Sequence, residues 1–156
     1  MAEVKKVEAD APYLQIGEVA DRTGVTQRTL RFYEERGLLK PPSRMDGGFR
    51  LYSDDDVARV EQIKRMQSLL GLTLAEIKEM VEAEEVREEL NATYRPDRPL
   101  DERIQRVAKR IEVTQRQFDI ISTKLGAMIE MRKDLEEKLL HYREVVVDLE
   151  KQKVST

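Results

Sequence analysis

The stretch that decides the fold runs from Thr26 to Tyr52, TQRTLRFYEERGLLKPPSRMDGGFRLY. Its first part, Thr26 to Arg36, reads as a short helix. Thr26 is a suitable N-cap, because its hydroxyl can accept a hydrogen bond from an unpaired first-turn N–H. Val25 before the cap and Leu30 four residues after it form a hydrophobic staple. Gly37 stands where a glycine ends a helix. Leu30 and Tyr33 share one face, Arg28, Arg31 and Glu35 another, and Phe32 is available to the core side. Two arginines one turn apart, with a tyrosine alongside, can reach phosphates and base edges. The same spacing also fits an ordinary amphipathic helix with a solvated charged face.

The flanks favour the first reading. Ile16 to Gly24, IGEVADRTG, reads as a preceding short helix with Val19 and Ala20 inward and Gly24 at its end. Two helices joined by a glycine-containing turn make a helix-turn-helix pattern. Leu38 to Tyr52 then alternates weakly around Asp46-Gly47-Gly48, a tight-turn signal between two apolar runs. The resulting β-hairpin carries Lys40, Arg44 and Arg50. A hairpin beside a helix-turn-helix is a wing, and its basic residues would grip the backbone beside the groove.

The run IGEVADRTGVTQRTLRFYEERGLL, then GGFRLYSDDDVARVEQIKRMQSLLGLTLAEIKEM, resembles the N-terminal domain of the MerR family of bacterial transcription regulators. The resemblance covers Tyr13 to Val81 and is carried by TLRFYEERGLL and by Arg50-Leu51-Tyr52. It implies an all-α fold with a small β-hairpin wing, followed by a long dimerisation helix. It also implies a homodimer on near-palindromic, double-stranded promoter DNA, with transcription controlled by bending and untwisting that DNA and RNA polymerase as a further partner. By the same resemblance, Arg28 and Arg31 contact base edges or phosphates in the major groove. The Tyr33 hydroxyl contacts the backbone, and Arg50 and Tyr52 clamp phosphates from the wing. Arg44 on the wing and Lys64 are further phosphate candidates, although a solvated face explains Lys64 as well. Thr26 is a cap first and a phosphate contact second. Phe32 stands where relatives often carry tyrosine, which puts a hydroxyl contact at that position in doubt.

The chain has 156 residues, 38% of them charged and 5% aromatic, which favours helices with wet faces over a large globular core. The formal net charge is −3. A DNA-binding chain need not be basic overall, provided the charge sits on the docking face. Between Tyr13 and Ser53 seven arginines and lysines outnumber five acids, a small excess. There is no cysteine, which excludes disulfides, thiolate metal sites and thiol redox switches. The chain thereby departs from relatives that sense metals or oxidants through cysteine. Residues 1–12 lack the apolar core of a signal peptide and read as a disordered tail. No run approaches membrane-spanning length. A cytoplasmic protein without a membrane partner is expected.

After the wing, Ser53 caps a helix, with Asp56 three residues on and a Tyr52–Val57 staple. Val57, Val60, Ile63 and Met66 or Leu70 follow at helical spacing. Gly71 stops that helix, and Thr73 with Glu76 forms a capping box for the next, whose apolar side holds Ile77, Met80 and Val81. Residues 13–86 are read as the DNA-binding domain. Residues 87–100 are read as a linker, within a charged joint that contains Pro96 and Pro99. From 101 to 152 a seam repeats at 3-4 spacing through Ile104, Val107, Ile111, Thr114, Phe118, Ile121, Leu125, Met128, Arg132, Leu135, Leu139, Tyr142, Val146 and Leu149. That is a coiled coil, and it needs a partner helix. A hairpin folded back near Gly126-Ala127 is the alternative. The first half of this helix is more basic and the second more acidic, which favours an antiparallel pair; the resemblance implies the same. Ile120, Ile129, Met131, Val145 and Val147 lie off the seam, where they dock on the partner's DNA-binding domain or pack within a thicker bundle.

No effector site is legible, and neither a cofactor nor a metal is called for. His141, the single histidine, falls outside the seam and reads as solvated. The acidic cluster from Glu82 to Glu89 reads as a solvated charge run. Few residues follow the long helix, so no separate ligand-binding domain is expected. Two functions remain: a sequence-specific transcription regulator, or a coiled-coil DNA-architectural or interaction protein with little sequence preference. An enzyme is not expected, for want of any catalytic constellation.

Overall fold

The computed structural model describes residues 13–40, 43–44, 48 and 50–155. Expectations for the tail at 1–12, and for Asp46 and Gly47 of the wing turn, lie outside them. The chain is mostly helical with one small sheet. Strand β1 is Leu14–Gln15, β2 Ser43–Arg44 and β3 Arg50–Tyr52. Helices α1 (Ile16–Thr23) and α2 (Gln27–Glu35) lie between β1 and β2. Helices α3 (Asp54–Ser68), α4 (Leu74–Ala92) and α5 (Leu100–Val154) follow β3.

The expected hairpin is present and gains a third strand. β3 pairs antiparallel with β2 on one side and with β1 on the other, so Leu14 stands opposite Tyr52 and Arg44 opposite Arg50. The wing is thus stitched to the segment that enters α1, and its base cannot swing apart from the helix-turn-helix.

Local chemistry sets the boundaries. Gly24 takes a left-handed φ of 71° to end α1. At the end of α2 the N–H of Leu38 donates to the Tyr33 carbonyl and that of Gly37 to Glu34. This is a Schellman closure, and Gly37 supplies its positive φ of 73°. Capping boxes open both α3 (Ser53–Asp56) and α4 (Thr73–Glu76). The core draws on β1, β3 and the first four helices: Leu14, Val19, Leu30, Tyr33, Leu38, Leu39, Tyr52, Val60, Ile63, Met66, Ile77 and Val81. Met66 rather than Leu70 completes the α3 stripe, since Leu70 is exposed.

Two boundaries differ from expectation. α4 continues through Ala92, so the joint is the turn at 93–99 and not a linker from residue 87. Arg87 is part of the reason. Its guanidinium bonds Glu84 on its own helix and Thr114 and Gln117 on α5, which keeps that turn of α4 packed. α5 starts one residue earlier than read, at Leu100, and runs for 55 residues without a break at Gly126. It is about 80 Å long at 1.5 Å per residue, and the chain does not fold back into a hairpin.

α5 has two working rows. Arg106, Arg110, Val113, Gln117, Ile120 and Lys124 face α4 and the domain core. Val113 is buried there, the Gln117 amide donates to the Met80 carbonyl at 2.9 Å, and Lys124 pairs with Glu76 at 3.1 Å. Ile120 packs against the core of its own chain, which answers in cis the expectation that it reaches a partner's domain. The apolar seam lies on another side and is uncovered. Ile104, Val107, Ile111, Phe118, Ile121, Leu125, Met128, Leu135, Leu139, Tyr142, Val146 and Leu149 are each between 36% and 65% exposed.

Candidate nucleic-acid interface

Helix α2 presents its polar face outward. Thr26 accepts from the Thr29 N–H at 3.1 Å, and the two threonine hydroxyls are 2.8 Å apart. Leu30 and Tyr33 anchor the opposite face in the core. That leaves Arg28 and Arg31, one turn apart, fully on the exposed side, with Arg36 stacked over the Phe32 ring at 5.2 Å. Neither Arg28 nor Arg31 is held in an ion pair among the described residues, so both guanidinium groups are free to engage an anion or a base edge.

The wing is fastened to this helix by one carboxylate. Glu34 accepts a hydrogen bond from the Tyr52 hydroxyl and pairs with Arg50 at 3.5 Å. The Glu34 side chain is only 10% exposed and that of Arg50 25%. The Nη1 of Arg50 is buried without an acceptor. Burial first, and then the bond to Glu34, push the Tyr52 phenol well above its ordinary pKa. Arg44 stands directly across the sheet from Arg50. The register therefore sets two arginine positions side by side on the wing.

Three site residues are placed otherwise than the sequence suggests. Tyr33 and Tyr52, expected at the DNA backbone, are core residues at 3% and 0% exposure. The Tyr33 hydroxyl donates to the Gln67 side chain at 3.0 Å, and burial raises its pKa. A large ring is needed to fill the space between α2, α3 and the sheet, and each hydroxyl finds its partner inside the chain. Lys64 is exposed along its stem, but its ammonium donates to the Thr23 carbonyl at 2.5 Å, satisfying the C-terminal end of α1. Sequence reasoning missed Glu34 and Gln67. The only trace of Glu34 was one of two adjacent acids at the end of α2.

The chain thus carries an exposed arginine pair on the second helix of a helix-turn-helix, a braced wing beside it, and a long helix with an uncovered apolar seam. Among the described residues no helix is long and apolar enough to cross a membrane, and no cluster of acids or histidine could hold a metal.

The family model described as MerR HTH family regulatory protein matches residues 14–84. The HTH-type transcriptional regulator YfmP of Bacillus subtilis is 36% identical over 113 residues, covering 72% of this chain and 81% of that protein. In three dimensions the chain is similar to a MerR family transcriptional regulator from Listeria monocytogenes, with a TM-score of 0.62 at 20% identity over 89% of this chain and 92% of that one. It is also similar to HiNmlR, described as a MerR family regulator lacking the sensor domain and bound to promoter DNA. There the TM-score is 0.52 at 22% identity, over 85% of this chain and 92% of the other. Those two likenesses establish the fold. With the sequence match along most of YfmP, they place the chain: it belongs to the MerR family of helix-turn-helix transcription regulators.

Proposed function

We propose that the chain binds promoter DNA as a homodimer, each copy reading one half of a near-palindromic site and the pair distorting the DNA between them to control transcription. The observation that carries this is the free, solvent-facing pair Arg28 and Arg31 on α2, beside a wing locked in place through Glu34. Arg28 and Arg31 enter the major groove, where an arginine fork matches the acceptors of guanine or a phosphate. Arg50 and Arg44 hold phosphates next to it, with Thr26 at the helix start. Tyr33, Tyr52 and Lys64 position these groups from within. RNA polymerase at the same promoter is the partner through which distortion acts.

The second half of the proposal is the dimer. The seam is spaced symmetrically about the point between Gly126 and Ala127. An antiparallel pair therefore sets Leu125 against Met128, Phe118 against Leu135 and Ile104 against Leu149. Each copy covers the other's exposed apolar row. The alternative of a DNA-architectural protein is not favoured by relatives that are named as transcriptional regulators.

Selection of bound sequences from a random DNA pool tests the reading. A two-fold symmetric consensus with a spacer is the expected result. Retention of all sequences alike would reject it in favour of the architectural role.

A further inference from the structure

The joint between α4 and α5 gathers five arginines around one small cavity. Arg95 and Arg98 come from the turn, and Arg103, Arg106 and Arg110 from the first turns of α5; together they line about 100 Å³. Spacings of three and four residues put the last three on one helix face. Tyr94 and Val107 complete the wall.

Carboxylates answer only two of the five. Arg95 pairs with Asp97 at 3.0 Å and Arg98 with Glu102 at 3.5 Å. Arg106 reaches neutral acceptors, the Leu90 carbonyl at 3.0 Å and the Thr93 hydroxyl at 2.6 Å. Arg110 reaches the Asn91 side-chain oxygen at 2.8 Å. The guanidinium of Arg103 has no hydrogen-bond or ion-pair partner among the described residues. The Nε atoms of Arg98 and Arg110 are buried without acceptors. Within the single chain three positive groups thus converge with no carboxylate partner among the described residues, in a chain whose formal net charge is −3. Like charges this close repel unless an anion joins them.

We infer that this joint is a binding site for a small soluble dianion bearing a phosphoryl-type group, held by Arg103, Arg106 and Arg110. Planar guanidinium forks match such oxyanions two bonds at a time. The cavity is small, about 100 Å³, which suits a compact phosphoryl group over a bulky ligand. Arg106 already grips the C-terminal end of α4, so an anion shared with Arg103 and Arg110 ties the DNA-reading domain to the long helix. The inference does not rest on the DNA-binding proposal.

The test uses the full chain and inorganic phosphate, titrated calorimetrically against chloride at matched ionic strength. Saturable binding at one site per chain is expected. Arg103→Gln should weaken it about tenfold, the loss of one charge-assisted contact set, with the circular dichroism and melting curve of the parent. Lys138→Gln, an exposed cation far along α5 and off the seam, should bind as the parent does. No saturation up to about 10 mM phosphate, or equal weakening in both variants, would overturn the site. So would a lower salt slope of DNA binding in Arg103→Gln, because the cluster would then be a DNA contact.

Discussion

Arg31 and Arg50 stand in different surroundings, and their substitutions should separate. Arg31 is unpaired and solvent-facing, so Arg31→Ala should leave stability unchanged. It should cost roughly 1–3 kcal/mol at the specific site if it reads a base, and relax preference at one position per half-site. Arg50→Ala should weaken all sequences alike and lower the salt slope by about one unit per phosphate contact. Parent-like binding by both across a salt titration would remove this face from the DNA. Glu34 is the residue on which the wing depends. Glu34→Ala strands the buried Tyr52 hydroxyl and the half-buried Arg50, a loss of about 1–3 kcal/mol that a urea denaturation midpoint will report. The exposed arginines were legible in the sequence because helical spacing and a cap fix which face they occupy. The tyrosines were not. Each has an apolar body and a polar tip, and which end prevails was set by Gln67, 34 positions from Tyr33, and by Glu34, 18 from Tyr52. No local pattern reports contacts at that range.

At the scale of the element, helix starts were the most legible feature, because a cap and its box span only four residues. The box at α4 also gives a pH dependence. The Thr73 N–H first, and then Lys124, hold the Glu76 carboxyl below its ordinary pKa. A depressed acid stabilises the fold above its unfolded pKa, and that contribution is lost as pH falls through the lowered value. The parent should therefore lose melting temperature more steeply than Glu76→Gln between about pH 6 and 3. Parallel curves would show that the box carries no charge-dependent stability. Strand β1 escaped the sequence reading for a plain reason: two residues are too few to show alternation. The α4-facing row of α5 escaped for another. Its Arg106, Arg110, Gln117 and Lys124 are polar, and the apolar seam beside them gave the stronger periodic signal. The same polar row kept the joint from being read as a short turn, since its contacts with Leu90, Asn91 and Thr93 hold the end of α4 in place.

For the whole molecule, the proposed dimer makes the seam of α5 the determinant of assembly. Leu125 is 54% exposed in the single chain, so a change there leaves the domain core intact. In the pair it meets Met128 of its mate. Losing a full-size apolar group from a tight core costs about 2–5 kcal/mol, and Leu125→Asp sets two unpaired carboxylates near the two-fold axis besides. This variant should sediment as a monomer and lose orders of magnitude in site affinity, since one head alone forfeits the second half-site. A dimeric variant with normal DNA binding would put the interface elsewhere.

The burial of Val113 against the reading domain makes α5 a ruler. From Val113 to the midpoint of the seam is about 13 residues, or roughly 20 Å of helix. Two mated chains then hold their heads about 40 Å apart, close to the roughly 34–36 Å between successive major grooves on one side of a duplex. In the proposed dimer the length of the arm, and no residue that touches DNA, sets the gap between half-sites. Seven residues inserted between Val113 and the midpoint would continue the seam while moving the heads apart by about 21 Å, somewhat over half a DNA turn. A chain lengthened in this way should be the tighter dimer and the poorer ligand for the parent's site, its two heads facing opposite sides of the same helix.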